Sequence, residues 1–189
     1  YRNTAKVGDL ICVTGNLGAA YLGLQLLERE KQLYLNNPGI KPDLEDQNYL
    51  VGRELKPEAR RDMIEAFAKA ELLPTSMIDI SDGLASELFH ICKESNGGAF
   101  VEASGVPIHP EAELMAIKYK LDPITCALSG GEDYELLFTI DPNDVDKVKY
   151  LPDIYIMGEI VPASDGIKLH TKGGNIHPIK AQGWKHFGQ

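Results

Sequence analysis

The chain lacks what would carry it across a membrane, cross-link it or draw it to nucleic acid. No apolar run approaches the roughly 20 residues needed to span a bilayer, and no basic then apolar stretch of the secretory kind opens the sequence. Cysteine is scarce: Cys12, Cys92 and Cys126 are scattered, odd in number and without CxxC spacing. They read as reduced thiols of a cytoplasmic protein, not as a disulfide framework or a zinc site. Positive charge is also short, with 19 Lys and Arg against 28 Asp and Glu, a net charge of −9. So acidic a surface argues against nucleic acid, whose phosphates are met by Lys and Arg. It accepts a phosphorylated small molecule only where metal ions or backbone amides offset the repulsion. The five histidines show no metal-ligand spacing, and no Gly-x-Ser-x-Gly elbow supports a hydrolase triad.

What remains is an ordinary globular composition, 43% hydrophobic and 25% charged over 189 residues, long enough to bury a sizeable core. Asp9–Thr14 reads as a buried strand ending at Gly15, and Ala19–Arg29 has helical apolar spacing. Residues 31–47 are polar, with Pro38, Gly39 and Pro42, and read as a surface excursion. Pro57 is expected to open a helix running to about Ala70. A strand at Ser76–Ile80 leads into a helix from Leu84 to Ser95, stopped by Gly97-Gly98, and a strand follows at Ala99–Ala103. Helices are expected after Pro110, Pro123 and Pro142, and strands at Tyr134–Thr139, Ile154–Met157 and Ile167–His170, with a hairpin at Gly173-Gly174. Interleaved helices and strands with a late hairpin predict an α+β fold, a layered α/β sandwich with a mixed sheet.

Two stretches carry candidate chemistry. In Asp79-Ile80-Ser81-Asp82-Gly83-Leu84, strand alternation puts Asp79 and Ser81 on one side and Ile80 in the core. Asp82 sits where the chain enters a helix, beside free backbone N–H groups. Two hard carboxylates, a hydroxyl and a helix start suit a Mg²⁺-bridged phosphate. They equally suit a plain helix cap by Ser81 or Asp82 with Asp79 bonded in the sheet, and on spacing alone the cap is favoured. In Ser129-Gly130-Gly131-Glu132-Asp133-Tyr134-Glu135, paired glycines let backbone pass close to a ligand. A carboxylate there could hold a cationic or amino-bearing group, or the segment is only a glycine turn before an acidic strand. Gly15-Asn16-Leu17-Gly18 lacks the third glycine and the Lys-Ser or Lys-Thr pair of a nucleotide loop and reads as a tight turn. Trp184, the only tryptophan, lies in a polar tail, where it packs the tail down or stacks on a flat heterocycle.

Taken in order, Gly8-Asp9, Val13-Thr14-Gly15-x-Leu17-Gly18, Met77–Leu84, His90-Ile91, Ser129–Thr139, Gly158-Glu159-Ile160 and Gly183-Trp184-x-His186-Phe187 resemble thiamine-monophosphate kinase over nearly the whole chain. The Gly-Gly-Glu-Asp-Tyr-Glu-Leu segment separates that family from its relatives, the aminoimidazole ribonucleotide, selenophosphate and hydrogenase-maturation enzymes. The resemblance implies a fold like the C-terminal domain of aminoimidazole ribonucleotide synthetase-like enzymes. Residues 1–8 would then be a linker from a missing N-terminal half, and residues 9–189 the C-terminal domain. In the family that half carries further metal-binding acids and forms a homodimer, and the active site lies between the halves. By motif, Asp79 and Asp82 correspond to Mg²⁺ ligands, Ser81 and Arg2 to ATP contacts, and Glu132 and Trp184 to contacts with thiamine phosphate. The implied reaction is transfer of the ATP γ-phosphoryl to thiamine phosphate, with ATP as co-substrate and no catalytic base named. Two features depart from the family pattern: Glu87 stands where Asp is usual, and Lys56-Pro57-Glu58-Ala59-Arg60 loosely matches an Arg-Pro-x-Pro-Arg segment. Two other readings compete: another enzyme of the same superfamily, or a non-catalytic ligand-binding domain.

Overall fold

The computed structural model describes residues 1–180. Seven strands form one mixed sheet: β1 (Leu10–Thr14), β2 (Ser76–Asp79), β3 (Gly97–Glu102), β4 (Leu136–Ile140), β5 (Ile154–Pro162), β6 (Ile167–His170) and β7 (Ile176–Pro178). Their order is β2-β4-β1-β5-β3-β6-β7. Neighbours run antiparallel except β3 and β6, which are parallel. The helices are α1 (Ala19–Asn36), α2 (Asn48–Leu55), α3 (Arg61–Lys69), α4 (Leu84–Glu94), α5 (Pro110–Lys118), α6 (Pro123–Ser129) and α7 (Val145–Val148). This is the expected α+β sandwich with a mixed sheet.

The period of two along each strand sorts the side chains into two layers. Ile11, Val13, Val101, Leu137 and Met157 face α4, meeting Leu84, Leu88 and Ile91. Cys12, Phe138 and Ile140 face the other way, onto Met63 and Phe67 of α3 and Val148 of α7. A third cluster lies between helices, where Leu22 and Leu26 of α1 meet Leu50 of α2 and Met115 and Ala116 of α5. All three cysteines are free and buried. Among the described residues no helix is long and apolar enough to cross a membrane.

Several boundaries differ from the sequence-based expectation. α1 continues past Arg29 to Asn36, because Glu30, Lys31, Gln32 and Leu33 are good helix formers even after the apolar stripe ends. The excursion is therefore residues 37–47, tied back where the Asp43 N–H donates to the buried Glu30 carboxylate at 2.9 Å. Residues 48–55, to which no element was assigned, form α2. The helix expected from Pro57 begins only at Arg61, since Arg60 is held in a non-helical conformation by the ion pairs described below.

Residues 1–8 lie along the sheet. The Met77 N–H donates to the Tyr1 carbonyl at 2.8 Å, the Thr4 hydroxyl donates to the Thr75 carbonyl, and Ala5 is buried. Asp9 pins the turn that follows, accepting from the Lys6 N–H at 2.9 Å and the Thr75 hydroxyl at 2.6 Å.

Phe138 is fully buried and packs on Phe67 with ring centroids 5.0 Å apart, joining the central sheet to α3. Phe138→Ala should lower unfolding free energy by about 3–5 kcal/mol, measured by urea denaturation. A loss below about 1 kcal/mol would mean that α3 is not held by this contact.

Candidate active site

The two candidate motifs lie side by side. The Ile80 N–H donates to the Glu135 carbonyl at 2.8 Å, the Tyr134 N–H to the Ile80 carbonyl at 2.9 Å and the Glu132 N–H to the Ser81 carbonyl at 2.8 Å. The pairing of β2 with β4 thus continues past the strand ends and brings the glycine turn against the acid loop. Gly131, at φ +71°, makes this possible, because a Cβ there would stand 2.6 Å from the Ser81 carbonyl oxygen.

The acid loop is arranged as alternation requires. Ile80 is buried, Ser81 is half-buried, and Asp79 and Asp82 are exposed. The N-cap of α4 is Gly83, with no side-chain cap, so neither Ser81 nor Asp82 plays the capping role. Among the described residues neither the Asp79 nor the Asp82 carboxylate has a side-chain hydrogen bond or an ion pair. Arg2 is exposed on the segment that runs beside β2. Trp184 lies outside the described residues.

Beneath the loop is Glu87, only 2% exposed. Its Oε1 accepts from the Asp82 N–H at 3.2 Å, while Oε2 is buried without a partner. Burial pushes this carboxyl up to about 7 against the opposing pull of the backbone donors. The longer Glu, where the resembled family usually has Asp, thus reaches back to brace the loop from inside.

The glycine turn separates its acids. Glu132 stays exposed, whereas Asp133 and Glu135 are each 2% exposed and point inward. Asp133 accepts from the N–H groups of Gly18 at 2.7 Å and Ala20 at 3.3 Å. A protein carboxylate therefore fills the anion-binding start of α1, which accounts for the Gly15–Gly18 turn without a nucleotide. Burial outweighs these donors and raises the Asp133 carboxyl to about 6. Glu135 accepts from the Thr14 hydroxyl at 2.7 Å, Arg53 Nη1 at 3.0 Å and Arg60 Nη1 at 2.6 Å. Arg53 Nη2 also donates to the carbonyls of Asn16 and Asp133. Gly15 must be glycine, since its φ is +58° and a Cβ would land on the Glu135 carboxylate.

Arg53 carries no motif that would single it out from sequence; Arg60 ends the loose Arg-Pro-x-Pro-Arg match, and that was its only signal. Both serve the turn from within. On the outer side Glu54, half-buried with one unpartnered oxygen, has its carboxyl raised by burial and by nearby Glu132.

For a divalent cation the donor set fits in part. Asp79 and Asp82 offer exposed hard oxygens, uncommitted to any cation among the described residues, as Mg²⁺ requires. Among the described residues, however, no group of three or more His, Cys, Asp or Glu is gathered to hold a metal. Two carboxylates could contribute to a Mg²⁺ site whose remaining positions are met by phosphate, water or another segment.

Sheet, acid loop and braced turn are parts of one α+β sandwich. That sandwich is shared with the hydrogenase-maturation protein HypE, solved in complex with ATP, at 15% identity over 95% of this chain and a TM-score of 0.68, which speaks to fold alone. By sequence the chain is homologous to the thiamine-monophosphate kinases. It is 37% identical to the thiamine-monophosphate kinase of Buchnera aphidicola from Schizaphis graminum, covering 98% of this chain and 55% of the relative. With that of Pyrococcus abyssi it is 33% identical, covering 98% and 52%. AaThiL complexed with AMPPCP and TMP superposes with a TM-score of 0.77 at 31% identity, over 98% of this chain and 53% of that one. The chain therefore spans about half the length of the relatives it matches. No protein-family profile matches it.

Glu87 makes stability depend on pH in a defined direction. Its carboxyl titrates near 4.5 when unfolded and at about 7 when folded. Between those values the folded chain holds a proton that the unfolded chain has lost, so this contribution falls as pH rises. The slope is at most about 1.4 kcal/mol per pH unit. In chelator, urea titrations from pH 5 to 8 should show that decline in wild type and a flatter profile in Glu87→Gln. Parallel profiles would mean that Glu87 is ionised throughout.

Proposed function

We propose that the chain is the C-terminal half of an ATP- and Mg²⁺-dependent thiamine-monophosphate kinase, which transfers the γ-phosphoryl of ATP to thiamine phosphate and yields thiamine diphosphate. The observation that carries this reading is the adjacency of two differently equipped segments, joined by the Glu132 N–H to Ser81 carbonyl bond of 2.8 Å. One bears free carboxylates suited to metal-bound phosphates and the other an exposed carboxylate suited to the amino or cationic end of the acceptor. The homologous kinases and the AMPPCP and TMP complex of AaThiL support it.

In this reading Asp79 and Asp82 hold Mg²⁺, Ser81 and Arg2 contact ATP, and Glu132 and Trp184 contact thiamine phosphate. Bound Mg²⁺ would neutralise phosphate charge, which a chain of net charge −9 cannot do by itself. The chain's own contribution is positioning: Glu87 braces the acid loop, and Arg53, Arg60 and the inward acids brace the acceptor turn. Phosphoryl transfer between two anions rests mainly on such positioning and on charge neutralisation. An attacking phosphate oxygen needs little help from a base, so none is assigned. The other half would supply further metal-binding acids, close the cleft and form a homodimer, in a cytoplasmic enzyme consistent with its three free thiols.

In the full-length protein Asp79→Asn and Asp82→Asn should each reduce turnover by about two orders of magnitude. Melting temperature should stay close to wild type, because neither carboxylate supports the fold. Near-wild-type turnover at saturating Mg²⁺ would remove both from the metal site. The isolated 189-residue chain should fold, as circular dichroism and a cooperative melt would report, yet form no thiamine diphosphate from ATP and thiamine phosphate. Robust turnover by that chain alone would overturn the half-site. If the full-length protein binds thiamine phosphate without phosphorylating it, the chain belongs to a non-catalytic binding protein.

A further inference from the structure

The acceptor turn holds a conformation that its residue types resist. Within residues 131–134, Gly131, Glu132 and Tyr134 have φ of +71°, +60° and +51°. A left-handed backbone is unfavourable for a non-glycine residue, and such outliers gather where a site needs a particular geometry. Here the geometry is enforced from within. The Glu132 and Tyr134 amides are bonded to the Ser81 and Ile80 carbonyls, Asp133 is locked onto the start of α1, and Arg53 holds the Asp133 carbonyl at 2.9 Å. Three independent anchors therefore fix two side chains that point out of the turn.

Those two side chains meet. The Tyr134 hydroxyl donates to Glu132 Oε2 at 3.0 Å, and among the described residues Oε1 has no protein partner. Glu132, first through that bond and then through its charge, with smaller effects of burial, Asp79 and Asp82, raises the hydroxyl's pKa above the ordinary tyrosine value. Tyr134 is thus bonded to the acid of the acceptor turn and feels the charge of the two acids of the metal loop.

We propose that Tyr134 is a positioning residue for the acceptor: its hydroxyl fixes the Glu132 carboxylate so that the remaining oxygen is presented to the amino or cationic end of thiamine phosphate. The inference rests on the proposed contact between Glu132 and the acceptor, and it adds a residue whose hydroxyl orients that contact. An exposed, unbraced glutamate would sample many rotamers and lose that freedom on binding. The hydrogen bond removes part of that cost before the ligand arrives.

The test is a double-mutant cycle in the full-length protein with Tyr134→Phe, Glu132→Gln and both together, reading KM for thiamine phosphate, KM for ATP and melting temperature. Tyr134→Phe keeps the ring and removes only the hydroxyl. It should raise KM for thiamine phosphate by about fivefold, the scale of one ordinary hydrogen bond. ATP KM should stay within about twofold and melting temperature unchanged, a split that a purely structural tyrosine would not produce. The double variant should match Glu132→Gln, because the hydroxyl acts only through Glu132. Additive effects, or a wild-type KM in Tyr134→Phe beside a raised KM in Glu132→Gln, overturn the proposal alone. An unchanged KM in Glu132→Gln removes Glu132 from the acceptor site, and the proposal falls with it.

Discussion

Two carboxylates pointing inward, Asp133 and Glu135, organise the half of the molecule that bears the candidate site. Glu135 gathers a hydroxyl from β1 and guanidinium groups from both sides of the α2–α3 connection. Asp133 receives the first amides of α1. Burying charge is costly, and a buried ion pair is weak evidence of net stability. What it gives here is geometry: four segments distant in sequence converge on two adjacent side chains, and each loses partners if the others move. The constraint reaches Gly15, whose missing side chain leaves the room that the Glu135 carboxylate occupies.

This inward network allows the outward face to stay uncommitted. The chain carries nine more acids than bases, yet its arginines near the turn are spent on Glu135, on Asp62 and on backbone carbonyls. Asp79, Asp82 and Glu132 are consequently exposed, with no cation paired to them among the described residues. Such a surface repels phosphate unless another charge intervenes, which is why hard carboxylate oxygens and a divalent ion belong together in the proposed chemistry. Glu87 adds a second interior brace: a carboxyl that stays largely protonated below neutral pH can sit beneath Asp82 without adding full negative charge to the loop.

The α+β class, the strand positions around both motifs and the placement of Asp79 opposite the buried Ile80 are legible in the sequence, because period-two alternation and glycine positions are local signals. Strand order is not, since β4 enters between β1 and β2 through pairings more than fifty residues apart. Nor is the start of α3, where the ion pair from Arg60 to Glu135 overrides the helix expected from Pro57. The run Glu132-Asp133-Tyr134-Glu135 is the most instructive case. Composition presents it as a cluster of acids open to a ligand, and the fold turns two of the three inward. Alternation hints at that split, but its meaning depends on Arg53 and Arg60, which no local pattern connects to it.

In the proposed reading this face of the chain is complete as structure and incomplete as a catalyst. The inward carboxylates and the turn's amides are met from within this chain: Glu135 by two arginines, the Glu132 and Tyr134 amides by carbonyls, the helix start by Asp133. The exposed acids are not met in this way, and no third metal-binding group joins them among the described residues. In-line phosphoryl transfer requires donor and acceptor to be held together while several charges are neutralised at once. A chain that spans about half of its relatives and bears exposed acids on this face fits the proposed reading, in which a second half completes the site. Rigidity inside and unsatisfied charge outside are then two aspects of one design, in which the turn is fixed in advance and the ligands complete the electrostatics.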